Sequence, residues 1–310
     1  MVRLRDHAAS RCGLVWLSDH TAAMADGVPR SGNELDTWSL DTSTIQVVPD
    51  WNPEQYGQFA AERAQPFHDL LALVEPGSIT RAVDLGCGPG ELTALAAQQL
   101  GIEEMIGIDN SAAMLAKTAE HVSPAVRFEY GDIADWTSAG DVDLVVAAAS
   151  LQWVPDHAEV IARWTAALRP GGQIAIQVPA NADMSSHVVA RQVAERPPYR
   201  ALFGPAGPPI DPVQAYVLQP EAYAQVLYDL GYARQHVRLQ VYPHVLPSTR
   251  HVVEWVRGTT LTRFEKRLDT DAFNAFVTDY ETDLLHVLGE HEPHFFPFRR
   301  ILMWGRLPQR

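Results

Sequence analysis

Hydrophobic and polar positions change period along the chain. Phe67, Leu70, Leu71 and Val74 stand at i, i+3, i+4 and i+7, one face of a helix that opens after Pro53 and is stopped by Pro76-Gly77. Short apolar runs then alternate with helical stretches. Strands are expected at about 81–86, 104–109, 126–130, 142–149 and 172–178, and helices at about 91–100, 111–121 and 156–168. This succession predicts a doubly wound, mostly parallel α/β sheet with helices on both faces, whose ligands gather at the carboxyl ends of the strands.

Beyond Pro179 the regularity fails. Pro197-Pro198, Pro205, Pro208-Pro209 and Pro212 crowd one span, so about 180–232 reads as a loop-rich insert or lid. Residues 220–231 then read as a helix with Pro220 in its first turn and Gly231 at its stop. A strand at about 235–243, helices at about 249–258 and 270–288, and a final strand from Phe295 to Arg306 bring the strands to seven. Residues 1 to about 50 hold no sustained period and read as a loose extension in which Met24 is an alternative start. No internal repeat, heptad array or low-complexity tract is present.

The first strand carries candidate chemistry, because Val83-Asp84-Leu85 runs straight into Gly86-Cys87-Gly88-Pro89-Gly90. Glycines at a strand-to-helix turn let a ligand touch backbone, and an acid closing the next strand, here Asp109, grips ribose hydroxyls. Asp132 follows the third strand in the same way. The pyrophosphate loop reads G-x-G-x-x-G, whereas this one reads G-x-G-x-G, and Pro89 removes an N–H that an anion would use. A nucleoside carrying positive charge fits better, and S-adenosylmethionine is the common one.

With 24 Lys and Arg against 38 Asp and Glu, the net charge of −14 disfavours nucleic acid and anionic membranes as partners. Cys12 and Cys87 lie far apart in different contexts, so no disulfide and a reducing compartment are expected. No apolar run approaches the ~18 residues that span a bilayer, and the N-terminus lacks a signal-peptide core, which makes the cytoplasm the default. A monomer is compatible with the pattern. His286, Glu290, His291 and His294 match no zinc spacing, so no metal is expected. Gly-x-Ser-x-Gly is absent, which leaves seryl hydrolysis unsupported.

The fourth strand ends in Ser150-Leu151-Gln152-Trp153-Val154, placing an amide and an indole beside the glycine loop; Trp153 either covers the cofactor, walls an acceptor site or packs in the core. The fifth ends in Gln177 and Asn181, two amides. Together Val83 to Gly90, Asp109, Asp132 and Leu151-Gln152-Trp153 resemble the Rossmann-like (class I) S-adenosylmethionine-dependent methyltransferases. Within them four segments resemble the trans-aconitate methyltransferase branch: Trp51 to Tyr56 with Ala61-Glu62-Arg63, Ser150 to His157, Gln177-x-Pro-x-Asn181, and Phe296-Pro297-Phe298-Arg299-Arg300.

The resemblance implies methyl transfer from S-adenosylmethionine to a carboxylate of a small polycarboxylate. It implies a cofactor site of Asp84, Gly86, Gly88, Gly90, Asp109, Asp132, Ile133, Ser150 and Trp153. It implies an acceptor site of Tyr56, Arg63, Gln152, Gln177, Asn181, His187, Arg191 and Arg300. Asp84 meets the cofactor's amino group or turns inward to loop amides, with the family likeness favouring the first; Tyr56 closes over the cofactor or merely packs. His187 and Arg191, four apart on a helix, share a face, but Arg191 also stands four before Glu195, a surface-pair partner. A carboxylate with a pKa near ~4 is already an anion at neutral pH, so no catalytic proton-transfer residue is expected and alignment carries the rate. Open alternatives are a methyltransferase for a malonyl carrier protein or a natural product, a non-catalytic S-adenosylmethionine-binding protein, and a nicotinamide-dependent oxidoreductase.

Overall fold

The computed structural model describes residues 60–77 and 79–309, the first four by backbone alone. The N-terminal extension 1–50 with Met24 and Cys12, and the Trp51 to Tyr56 segment, lie outside the described residues. Helix α1 (Ala60–Leu71) leads into β1 (Arg81–Leu85), α2 (Glu91–Leu100), β2 (Glu104–Asp109), α3 (Ala112–Leu115), β3 (Val126–Tyr130), β4 (Val142–Ala148), α4 (His157–Ala166) and β5 (Leu168–Pro179). After β5 come α5 (Ser185–Ala194), α6 (Pro197–Leu202), α7 (Pro212–Tyr216), α8 (Pro220–Asp229) and β6 (Arg234–Leu246). The chain ends with α9 (His251–Arg257), α10 (Thr262–Glu265), α11 (Thr270–Leu288) and β7 (His294–Arg306).

All seven strands form one sheet in the order β3-β2-β1-β4-β5-β7-β6. The first five pair in parallel, and β7 runs antiparallel between β5 and β6. Strand order reverses between β1 and β4, which opens a crevice at their carboxyl ends. Side chains of β1 and β4 alternate between two cores as a period of two requires. Val83, Leu85, Val145 and Ala147 pack with Trp164 and Tyr223 on one face. Ala82, Leu144 and Val146 pack with Phe67, Leu70 and Ala96 on the other. A third core joins Val189 and Val193 of α5, Trp255 of α9, Phe264 of α10, Phe276 and Tyr280 of α11, and Phe298 of β7. Each of the larger of these side chains, from valine upward, contributes about 1.5–3 kcal/mol by burial.

Three departures from the sequence pattern have local causes. The helix expected over 111–121 stops at Leu115 and resumes as a 3₁₀ turn, Thr118–His121, where the Thr118 hydroxyl donates to the Leu115 carbonyl at 2.9 Å. That local bond competes with continuation of the helix. The proline-crowded span is helical in part, because Pro197 and Pro212 each stand in the first turn of a short helix, where the missing N–H has no partner to lose. Strand β5 starts earlier than expected, with Leu168 paired to Val142 before a register shift to Gln173 and Leu144. Among the described residues no helix is long and apolar enough to cross a membrane.

Candidate functional site

Strand β1 delivers the chain into three glycines whose φ angles, 84°, 56° and 88° at Gly86, Gly88 and Gly90, are left-handed. Their surroundings differ. A Cβ on Gly86 would meet the Ser150 Cβ at 2.2 Å and one on Gly90 the Phe128 ring at 2.6 Å, while one on Gly88 would meet nothing within 4 Å. The outer glycines thus permit packing, and Gly88 leaves backbone open to a ligand. Ser150 closes the strand ends together, its hydroxyl donating to the Leu85 carbonyl at 2.5 Å. Buried Cys87 beside Gly88 has its thiol pushed well up by burial, so it is inert at neutral pH.

Asp109 closes β2 under this loop. Its Oδ2 accepts the Gly88 N–H at 2.9 Å and its Oδ1 the Ser111 N–H at 2.8 Å. A carboxylate accepts about four hydrogen bonds, so the backbone holds the group in place without using all of its acceptor positions. Burial pushes its carboxyl up, against the pull of the backbone N–H groups. Asp84 is 3% exposed; its Oδ2 accepts from the Thr93 hydroxyl at 2.6 Å. Its Oδ1 is buried with no hydrogen-bond partner among the described residues, and burial pushes the group up to about 6 despite Thr93. Asp84 therefore turns to a helix hydroxyl rather than to loop amides, and its spare oxygen fits a cationic donor.

Asp132 is exposed, with Oδ1 accepting the Ala134 N–H at 2.8 Å and Oδ2 facing the Asn110 amide at 3.4 Å. Ile133 packs among Ile106 and Ile108 and accepts the Trp164 indole N–H at 2.9 Å through its carbonyl, so its side chain anchors the loop after β3. Trp153, half-buried in the 3₁₀ turn Leu151–Trp153, faces an adjoining cavity.

That cavity lies past the ends of β4 and β5 and against the middle of β7, at Phe298 and Arg300. It brings together Gln152, Trp153, Asn181, His187 and Arg300 of the expected residues. Antiparallel pairing sets Arg300 opposite Pro179. Its Nη1 donates to the Gln177 Oε1 at 3.2 Å, and its guanidinium lies 4.9 Å from the Phe298 ring centroid. Gln177, 3% exposed, thus sits behind Arg300 rather than on the cavity wall. The Gln152 amide nitrogen donates to the Ala149 carbonyl at 2.6 Å, and the buried Asn181 Oδ1 has no partner among the described residues. Arg63 falls in α1, but its side chain, like all of Tyr56, is outside what the structure describes.

Helix α5 places His187 and Arg191 on one face, as their spacing predicts, and that face meets Asp211. The Asp211 Oδ2 is 3.0 Å from the His187 Nδ1, 3.1 Å from the Arg191 Nη1 and 3.5 Å from the Arg263 Nη1. Burial alone would raise Asp211, but the His187 bond and the charges of Arg263 and Arg191 outweigh it and hold the carboxyl well below its usual range. Burial pulls His187 down despite Asp211, which leaves the ring neutral at neutral pH. The His187 Nε2 sits 3.2 Å from the Thr260 hydroxyl.

Arg191 also donates to the Ala182 carbonyl at 2.9 Å and lines a different hollow, with Pro208, Pro209 and Ile210, on the other side of Asp211. It is therefore a structural partner of Asp211 and does not line the cavity that holds Arg300. Glu195 pairs with Arg200 at 3.3 Å rather than with Arg191.

Sequence reasoning missed Arg263. It comes from the one-turn helix α10, its side chain is 10% exposed, and it lies in the cavity wall with its guanidinium 4.6 Å from the Phe264 ring centroid. Its Nε and Nη2 are shielded and find no acceptor among the described residues. Unsatisfied buried donors of this kind cost about 1–3 kcal/mol each. Only the burial of an arginine signals such a role, and no sequence pattern around Thr262-Arg263-Phe264 shows burial.

A family model described as a methyltransferase domain matches residues 82–172. The trans-aconitate 2-methyltransferase of Deinococcus radiodurans is 39% identical over 84% of this chain and 99% of its own length. That of Variovorax paradoxus is 41% identical over 75% of this chain and 88% of its own. Among solved structures, the YcgJ protein of Bacillus subtilis superposes with a TM-score of 0.53 at 15% identity, over 79% of this chain and 99% of that one, a likeness of fold.

Proposed function

The chain belongs to the trans-aconitate 2-methyltransferase family, and on that premise we propose that it esterifies one carboxylate of trans-aconitate, with S-adenosylmethionine becoming S-adenosylhomocysteine. The observation that carries this reading is the pairing of two adjoining sites of opposite charge, the acids Asp84 and Asp109 at the glycine loop and the guanidiniums Arg263 and Arg300 in the cavity.

The residues present fit the cofactor. Open space over Gly88 admits its backbone contact, Asp109 is held ready for the ribose, and the unsatisfied Asp84 oxygen suits the ammonium end. When bound, S-adenosylmethionine supplies an electrophilic methyl group on a positive sulfur. Trp153 separates the two sites and excludes water, and Asp132 contributes at the outer edge of the nucleoside. Arg300, steadied by Gln177 and stacked on Phe298, binds acceptor carboxylate, with Gln152, Asn181 and neutral His187 as polar neighbours. No side chain need remove a proton, so orientation and dehydration supply the rate.

The insert at about 180–232 and the C-terminal helices at about 249–288 form the acceptor cover on the methyltransferase core. A carrier-protein acceptor would call for a basic outer face, which a net charge of −14 opposes. A cytoplasmic setting suits a buried free thiol such as Cys87. Incubation with methyl-labelled cofactor and trans-aconitate tests the reading: a labelled monomethyl ester is expected, and absence of transfer rejects it. Stabilisation by S-adenosylhomocysteine without any transfer over a panel of small acids would favour a non-catalytic binding protein.

A further inference from the structure

We propose that Arg263 is a specificity-determining acceptor ligand. Its Nε and Nη2 grip one non-reacting carboxylate side-on while Arg300 takes a second, so the cavity selects acids with three carboxylates. This rests on the reading of the acceptor as a small polycarboxylate.

The free donors of Arg263 are the telling feature. Nε and Nη2 form the edge of the guanidinium that engages a carboxylate bidentately, and these are the two atoms without an acceptor among the described residues, whereas Nη1 is turned to Asp211. A purely structural arginine would spend its donors inside the protein. Asp211 does not require it either, since His187 and Arg191 both lie closer to the same oxygen. Stacking on Phe264 uses the face of the guanidinium and leaves its Nε–Nη2 edge unspent. There remains a fork in the wall of the cavity that also holds Arg300. With two carboxylates held, the third is the one left to meet the methyl group. Asp211 is then a positioning residue that fixes the Nη1 corner of Arg263.

The test uses the full-length wild type, R263Q and R263K with trans-aconitate and three dicarboxylates, mesaconate, glutaconate and itaconate, each lacking a different carboxyl group. The dicarboxylates are followed as substrates or as competitive inhibitors. In R263Q the KM for trans-aconitate should rise on the order of 100-fold, with partial recovery in R263K, which keeps the charge but not the fork. Affinity for S-adenosylhomocysteine should stay within about twofold. For the dicarboxylate lacking the group that Arg263 holds, the substitution should change the constant by less than about threefold. An unchanged KM for trans-aconitate, an equal loss on all four acids or a matching loss of S-adenosylhomocysteine affinity overturns the assignment. If the wild type transfers no methyl, the acceptor reading falls, and calorimetry of trans-aconitate with S-adenosylhomocysteine present decides Arg263 separately. Weaker binding to R263Q than to wild type upholds it, and equal binding or none overturns it.

Discussion

At the ends of β1 and β2 the site is made of backbone and acid. Gly88, Asp84 and Asp109 fall within one strand–helix–strand unit, and Asp109 bonds directly to the loop it supports. Past the end of β5, against the middle of β7, it is made of amide and guanidinium. There Gln152, His187, Asp211, Arg263 and Arg300 arrive from five separate segments and meet only when the third core packs. The first half is a local structure that any class I methyltransferase can share, and the second is a tertiary assembly in which, on the proposed reading, acceptor choice resides. Cofactor and acceptor binding should accordingly respond to different substitutions.

The most severe test of that separation is Asp211→Asn, which leaves Arg263 and Arg191 without their shared anion. Loss of about 3 kcal/mol of stability is expected, a melting temperature lower by roughly 8 °C in a scanning experiment. Because the folded Asp211 carboxyl is held below its ordinary value near ~4, its stabilising contribution is complete above that pH and fades as pH falls beneath it, so the gap between wild type and variant should narrow in acid. Asp109→Ala should weaken S-adenosylhomocysteine binding on the order of 100-fold by calorimetry through loss of charged hydrogen bonds. Unchanged affinity would remove Asp109 from the nucleoside site.

Arg300→Met should raise the KM for trans-aconitate roughly 30-fold while sparing cofactor affinity. Equal kinetics would make Arg300 a packing residue. The smallest effect belongs to Asp84. Its carboxyl, at about 6, is ionised above that pH and neutral below, and a cationic cofactor selects the ionised form. S-adenosylmethionine affinity should therefore be level above pH 7 and fall about tenfold by pH 5, and Asp84→Asn should flatten the curve.

The same division explains what could be read in the chain. Apolar runs located β1 to β4 nearly to the residue, and the glycine spacing with Asp109 pointed to a nucleoside, because those features depend on neighbours in sequence. His187 and Arg191 were rightly placed on one face, but the pattern held no sign that Asp211 would meet that face. The proline cluster read as loop because its role in starting α6 and α7 depends on whether the residues after each proline continue as a helical turn. Arg263 was silent altogether, since its significance is the depth at which it lies.

The opposite charges of the two halves also bear on turnover. Esterification removes one negative charge from the acid and the positive charge from the sulfur donor in the same event. On the proposed reading the ester therefore faces Arg263 and Arg300 with one charge fewer than the acid did, which weakens its hold in that cavity, whereas the ribose and ammonium contacts of the cofactor are untouched by the transfer.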